Sequence, residues 1–181
     1  MNHNTIAPQP GSPIPADNLQ RNLVIARPDQ AQSLPHVGVV GDTYTILLSG
    51  KDTNGRYGLI DMLVPPGGGP PPHRHDFEES FTVLEGEIEA TFRGQTSTVK
   101  TGETLHIPAN APHRFTNVCL EPARLLSICS PAGQEEFFLT IGDLAPSRTS
   151  SPPARDETSK AALMAKALSL VSKYRTEILK P

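Results

Sequence analysis

The segment GGGPPPHRHDFEESFTVLEGE, residues Gly67 to Glu87, decides how this chain is read. A stiff glycine–proline lead-in delivers two histidines one residue apart, two adjacent glutamates follow, and a β-branched and aromatic run ends at Gly86. In an extended strand side chains alternate faces, so His73 and His75 point the same way with Cα atoms roughly 6.5 to 7 Å apart. Two imidazoles at that separation can converge on one ion about 2.0 to 2.1 Å from each nitrogen. Glu79 has the same parity, yet a straight strand would carry it roughly 13 Å beyond His75. Asp76, Phe77 and Glu78 must therefore bulge or turn if Glu79 is to join the pair.

The surrounding chain sets the frame for that pair. Its 181 residues suit one domain plus extensions, and a core of about 110 to 130 residues buries roughly two-thirds of its unfolded surface without help from disulfides or metal. The 16 Lys and Arg against 19 Asp and Glu leave a formal charge of −3 with no basic stripe, which argues against nucleic acid as a partner. No apolar run approaches the roughly 20 residues of a membrane span, and the first twenty residues lack the charged start and apolar core of a secretory signal. The expected location is the cytoplasm, where Cys119 and Cys129 stay free thiols rather than a cross-strand disulfide.

Prolines at 8, 10, 13 and 15 make residues 1–35 a loose N-terminal extension. Residues 36–143 read as a β-barrel. From Tyr44 onward YTILLSG, RYGLIDMLVPP, ESFTVLE, EIEATFRG, TSTVKTG, TLHIP, HRFTNV and ARLLSICS are short strand-like runs separated by Gly, Pro, Asn and Thr. GQEEFFLTIGDL is a short helix or a last strand, and residues 144–156 are a polar, proline-bearing linker. Over residues 157–181, Met164, Ala167, Leu168, Val171, Tyr174 and Ile178 recur at helical spacing, with Asp156 or Thr158 as N-cap. This predicts an amphipathic C-terminal helix packed on the barrel or on a second subunit.

About thirty residues after the first histidine pair comes GETLHIPANAPHRFTN, which places His113 after a proline turn on a strand whose same-face neighbours are Phe115 and Asn117. With both segments in view the sequence resembles the cupin superfamily, and among its members the single-domain cupins of quercetin dioxygenase type. Gly67, His73, His75, Glu79 and Gly86 match the first cupin motif. Gly102, Pro108, His113 and Asn117 match the second, with Asn110 where the family has glycine, a change that a left-handed turn tolerates.

The resemblance implies an all-β fold, a double-stranded β-helix or jelly-roll barrel, followed by the C-terminal α-helix. It implies that His73, His75, Glu79 and His113 bind one divalent transition metal, with Fe(II) favoured and Mn, Ni, Co or Zn possible. Glu78 is the rival carboxylate, but the motif's spacing to Gly86 selects Glu79, while Asp76 is left to solvent. It further implies a dioxygenase acting on an enol, flavonol or catechol-like small molecule, with Glu79 as catalytic base. The alternative is a sugar- or acid-binding cupin, either a binding module or an isomerase. A homodimer is the expected assembly, and no helix-turn-helix signature points to a transcription factor.

Among the other polar residues, His106 is a donor behind the site or a partly exposed structural histidine. Arg74 and Arg114 have outward parity, and Asn117 is expected in the barrel mouth. His3 and His36 fall in expected loops. Phe81, Val83, Phe92 and Phe115 are candidates for an aromatic-substrate pocket or for plain core.

Overall fold

A computed structural model describes residues 11, 13–30, 34–153 and 156–180. Pro8, Pro10 and His3 lie outside these residues; around Pro13 and Pro15 the chain forms neither helix nor strand. Among the described residues two antiparallel sheets face each other. The strands are β1 (His36–Val39), β2 (Asp42–Leu48), β3 (Gly58–Val64), β4 (His73–His75), β5 (Glu78–Glu85), β6 (Glu87–Phe92), β7 (Gln95–Lys100), β8 (Thr104–Ile107), β9 (His113–Thr116), β10 (Ala123–Ser130), β11 (Asp143–Leu144) and β12 (Thr176–Ile178). One sheet runs β11-β1-β2-β3-β10-β5-β8 and the other β12-β4-β9-β6-β7, the double-sheet jelly roll expected of this sequence. Short helices α1 (Gly50–Thr53), α2 (Gln134–Ile141) and α3 (Glu157–Leu170) complete the chain.

Period-two patterning builds the core. In β10 the residues alternate between buried and less buried, and Leu125 faces inward with Ile60 of β3, Val83 of β5 and Phe115 of β9. β2 breaks this pattern, its first five residues all being buried. Its inner face, Asp42, Tyr44 and Ile46, turns to the barrel interior, while Thr43 and Thr45 lie beneath other chain: the Thr43 hydroxyl donates to the Ser150 carbonyl at 2.6 Å, and Pro152 packs on Gly38 of β1. The linker is thus a cover for the sheet's outer face. Arg148 clamps it there, reaching Asp61 of β3 at 3.3 Å and Asp29 of the N-terminal arm at 2.6 Å.

Each of the eight expected strand segments forms a strand. GQEEFFLTIGDL resolves into helix α2 followed by the two-residue strand β11, so Leu144 pairs with Val37 rather than opening the linker. The C-terminal helix is shorter than its periodicity predicts. Asp156 caps it, accepting from the Ser159 amide at 2.8 Å, but it ends at Leu170 and Arg175 takes a left-handed φ of 58°. The chain then runs as β12 along β4, with Thr176 opposite His75 and Ile178 opposite His73. The β-branched Thr176 and Ile178 favour a strand, and the open edge of β4 offers the pairing. The buried stripe is also rotated: Leu163, Ala167 and Val171 are buried, whereas Met164 and Leu168 are 37% and 49% exposed.

Candidate metal centre

The HRH segment forms β4 with the alternation its parity requires: His73 and His75 buried, Arg74 exposed and paired with Glu177 of β12 at 2.6 Å. The chain then bends at Asp76 and Phe77 and crosses from the five-stranded to the seven-stranded sheet, where Glu79 sits near the start of β5. That crossing is the turn the spacing demanded. His113 of β9 pairs directly with His73. Asn110 holds the approach to it in the left-handed region, φ 69°, and its amide donates to the His75 carbonyl at 2.7 Å.

His73, His75, Glu79 and His113 thereby converge, all buried, with one donor atom from each within 4.8 Å of the others. All three imidazoles are fixed in the same manner. Nδ1–H of His73 donates to the Pro71 carbonyl, that of His75 to Phe77 and that of His113 to Ala111, each at 2.9 Å. A carbonyl oxygen only accepts, so Nδ1 carries the proton and Nε2 is left to face the cluster. Phe77 stacks on the His75 ring at 3.7 Å and an interplanar angle of 4°, which fixes its plane.

The Glu79 carboxylate contacts Nε2 of His75 at 3.0 Å and Nε2 of His113 at 3.3 Å. Bare nitrogen lone pairs repel a carboxylate at that range, so the arrangement calls for a cation between them, either protons on the rings or a metal ion. Donors about 2.0 to 2.2 Å from one ion lie ~3 Å apart when adjacent and ~4 Å when opposite, close to the span seen here. Three imidazoles and a carboxylate therefore fit a divalent transition metal.

The electrostatics are arranged for the same purpose. Burial, and after it the neighbouring His113, lowers His73 to about 4, so it offers a lone pair at neutral pH. Burial pushes Glu79 up, but contacts with His113 and His75 outweigh it and hold the carboxyl well below the usual range. Its other oxygen lies 3.4 Å from both the Ser127 hydroxyl and the Cys129 thiol, which donate to it from β10. Burial, then the Glu79 charge, raises Cys129 well above the usual thiol range, so it sits here as a neutral donor.

His73 and Glu79 of the cluster line a cavity of about 90 Å³. Phe81 and Phe115 line it, with rings 5.2 Å apart and 69° between their planes, while Val83 belongs to the core and Phe92 to its edge. Met164 and Ala167 of the C-terminal helix, Val171 just past it and Ile178 of β12 supply further wall. Asp42 and Tyr44 also face this space, and the Tyr44 hydroxyl donates to Asp42 at 2.9 Å. Burial raises Asp42 to about 7, partly offset by Tyr44 and by the Gly69 backbone.

The remaining residues singled out from sequence lie elsewhere. Glu78 points outward to His106 at 2.9 Å, and His106 is exposed on β8, so neither reaches the cluster. Arg114 is exposed, and Asp76 pairs with Arg175 at 2.7 Å. Asn117 is not in the barrel mouth. It is fully buried, donating to the carbonyls of Val64 and Glu121 and accepting from the Cys119 amide, which stitches a loop to the barrel. His36 is not in a loop but opens β1, buried beside Thr45 at 2.7 Å. Cys119 and Cys129 are free. No described helix is long and apolar enough to cross a membrane.

Asp42, Tyr44, Ser127, the contact of Cys129 with Glu79, and β12 were not among the expected features of the site. The available signal was parity: in DTYTILL, an Asp and a Tyr share the inward face with Ile46, and in ARLLSICS, Ser127 and Cys129 share it with Leu125.

Comparison with known proteins agrees with this geometry. The Cupin domain family model matches residues 60–129, which contain all four clustered residues. Quercetin 2,3-dioxygenase of Bacillus subtilis is 29% identical over 101 residues, covering 55% of this chain and 30% of that protein. The match therefore spans less than a third of the dioxygenase. Polyketide synthase CurC of Streptomyces cyaneus is 35% identical over 109 residues, covering 59% of this chain and 70% of that one. Among solved structures, an RmlC-like cupin from Shewanella frigidimarina superposes with a TM-score of 0.53 at 17% identity, covering 65% of this chain and 99% of the other, a likeness of fold.

Proposed function

The chain belongs to the cupin superfamily, and from that premise we propose that it is a metal-dependent dioxygenase of a small enol or catechol-like substrate. The observation that carries this reading is the convergence of three Nδ1-anchored histidines and Glu79, two of which, His73 and Glu79, line a mostly apolar cavity. A divalent metal held by His73, His75, Glu79 and His113, iron by preference, would supply a Lewis acid and a redox partner for dioxygen. The protein's own groups do the rest. Glu79, kept ionised, takes the proton of the substrate hydroxyl. Ser127 and Cys129 hold its second oxygen in place, and Phe81 and Phe115 flank the ring or enol and exclude water.

The cavity volume narrows the substrate class. About 90 Å³ is below the ~150 Å³ of an engineered cavity that admits benzene, so a compact enol suits it better than a catechol ring, and either better than a three-ring flavonol. Its apolar wall also weighs against a sugar, and no Lys or Arg is among the described lining residues to hold an acid. Exposed Ile14, Leu19 and Leu23 in the N-terminal arm support a homodimer, and the free cysteines suit a reducing cytoplasm.

The test is oxygen uptake per bound metal with compact diketones and catechols, in wild type and Glu79→Gln. The amide can coordinate weakly but accepts no proton, so turnover per metal should fall about a hundred- to ten-thousandfold. Wild-type protein that consumes no oxygen with any of these substrates, or a variant with full activity per metal, would defeat the proposal.

A further inference from the structure

The fold treats the two oxygens of Glu79 differently. Oε2 meets Nε2 of His75 at 3.0 Å and Nε2 of His113 at 3.3 Å, on the side where the imidazoles converge. Oε1 faces β10, where the Ser127 hydroxyl and the Cys129 thiol each lie 3.4 Å from it. The sheet register sets this arrangement. Cys129 is the direct cross-strand partner of Glu79, and Ser127, two residues back on the same inward face of β10, stands opposite Phe81. Ser127 Oγ and Cys129 Sγ are 3.7 Å apart, and the two residues are 1% and 0% exposed. A hydroxyl and a thiol can both donate to a carboxylate without adding charge. A buried carboxylate oxygen stripped of both donors would be costly to keep, and turning it to a cation beside it is the most direct relief.

We propose that Ser127 and Cys129 are positioning residues that confine Glu79 to a single ligating oxygen, Oε2. The proposal rests on the reading of His73, His75, Glu79 and His113 as metal ligands and deepens it. Three imidazoles and one carboxylate oxygen supply four donor atoms, so an octahedral ion keeps two positions for the two oxygens of an enolised diketone or a catechol. If both oxygens of Glu79 were engaged, one position would remain, enough for a ligand with one donor atom and too few for a chelating one. Ser127 and Cys129 thereby favour substrates that grip through two oxygens, and they do so through Glu79 rather than by touching substrate.

The experiment loads full-length protein with Co(II), whose visible absorption reports a change of ligands, and titrates it under nitrogen with two probes. Acetylacetone binds through two oxygens and azide through one atom. Wild type should bind both. In the Ser127→Ala/Cys129→Ala double variant cobalt should still bind, acetylacetone affinity should fall roughly tenfold or more, and azide affinity should stay within about twofold of wild type. Cys129→Ser, which restores an O–H donor in the same place, should keep the wild-type affinity for acetylacetone, whereas Cys129→Ala should lose part of it; these single variants supply the comparison if the double variant folds poorly. Unchanged acetylacetone binding in the double variant, equal weakening of acetylacetone and azide, or a Cys129→Ser variant as impaired as Cys129→Ala overturns the positioning role and leaves the metal reading standing. Wild type that takes up no cobalt, or no more than His113→Ala does, overturns the metal reading and the proposal with it.

Discussion

Asp42 makes a quantitative claim about stability. Its carboxyl has a pKa of about 7 in the fold against 3.8 when solvated, because burial disfavours the charge more than Tyr44 and the Gly69 backbone restore it. Below pH 3.8 folded and unfolded chains are both protonated here. Between 3.8 and about 7 only the folded chain retains the proton, so each rise in pH favours unfolding, and above about 7 the loss is complete. With ~1.36 kcal/mol for every tenfold change in proton affinity, the move from 3.8 to about 7 corresponds to roughly 4 kcal/mol lost with rising pH. Asp42→Asn has the same shape and does not titrate. Urea melts of metal-free wild type and variant across this range isolate the effect, since every other titrating group is common to both. The variant should gain on wild type by ~1.4 kcal/mol per pH unit until neutrality, then run parallel to it. A stability difference that stays constant from pH ~5 to ~8 would mean that Asp42 ionises as if solvated, and the argument from its burial would fail.

The other predictions concern the cluster and what supports it. Wild type should carry close to one transition metal per chain, and His113→Ala should lower occupancy strongly by elemental analysis; a fully loaded variant would contradict the ligand assignment. Gly69→Ala should cost about 3 kcal/mol or more by denaturant melt, because φ is 126° and the new Cβ would sit 2.2 Å from the Phe115 carbonyl oxygen; a near-neutral result would refute that close approach. Removing residues 171–181 strips β12 from β4 and Ile178 from the cavity wall, so metal affinity and melting temperature should both fall; an unchanged truncation would show that β12 does not brace the histidines.

Much of this site was legible because metal ligation imposes parity and spacing that the chain must write locally. His73 and His75 share a face, the bend at Asp76 and Phe77 was required to bring Glu79 back, and Asn110 took the left-handed turn assigned to it. Strand positions were legible from β-branched runs between turn residues. What escaped were features fixed by tertiary pairing. Residues 171–178 carry a helical spacing of apolar side chains, but the free edge of β4 draws Thr176–Ile178 into a strand, and the same apolar residues then face the core from a different geometry. Asn117 matched a motif position and was placed in the mouth, yet three backbone partners were waiting for its amide. Linker residues 145–153 read as polar punctuation, whereas Arg148, Ser150 and Pro152 tie them across β1 to β3.

The division between shared and particular residues bears on what the relatives can teach. The family match, residues 60–129, holds all four members of the metal cluster along with Phe81 and Phe115. Much of the remaining wall lies outside it: Asp42 and Tyr44 on β2, Phe137 and Phe138 on α2, Val171 just past α3 and Ile178 on β12. A protein sharing only the matched region shares the means of holding a cation, and its substrate need not be shared, because much of the cavity's shape and polarity comes from other segments. In this chain those segments present one carboxyl and one phenol on an otherwise mostly apolar surface. Substrate choice should therefore respond to substitutions at Asp42 or Phe138 that leave metal content untouched, while His113→Ala removes metal and substrate binding together.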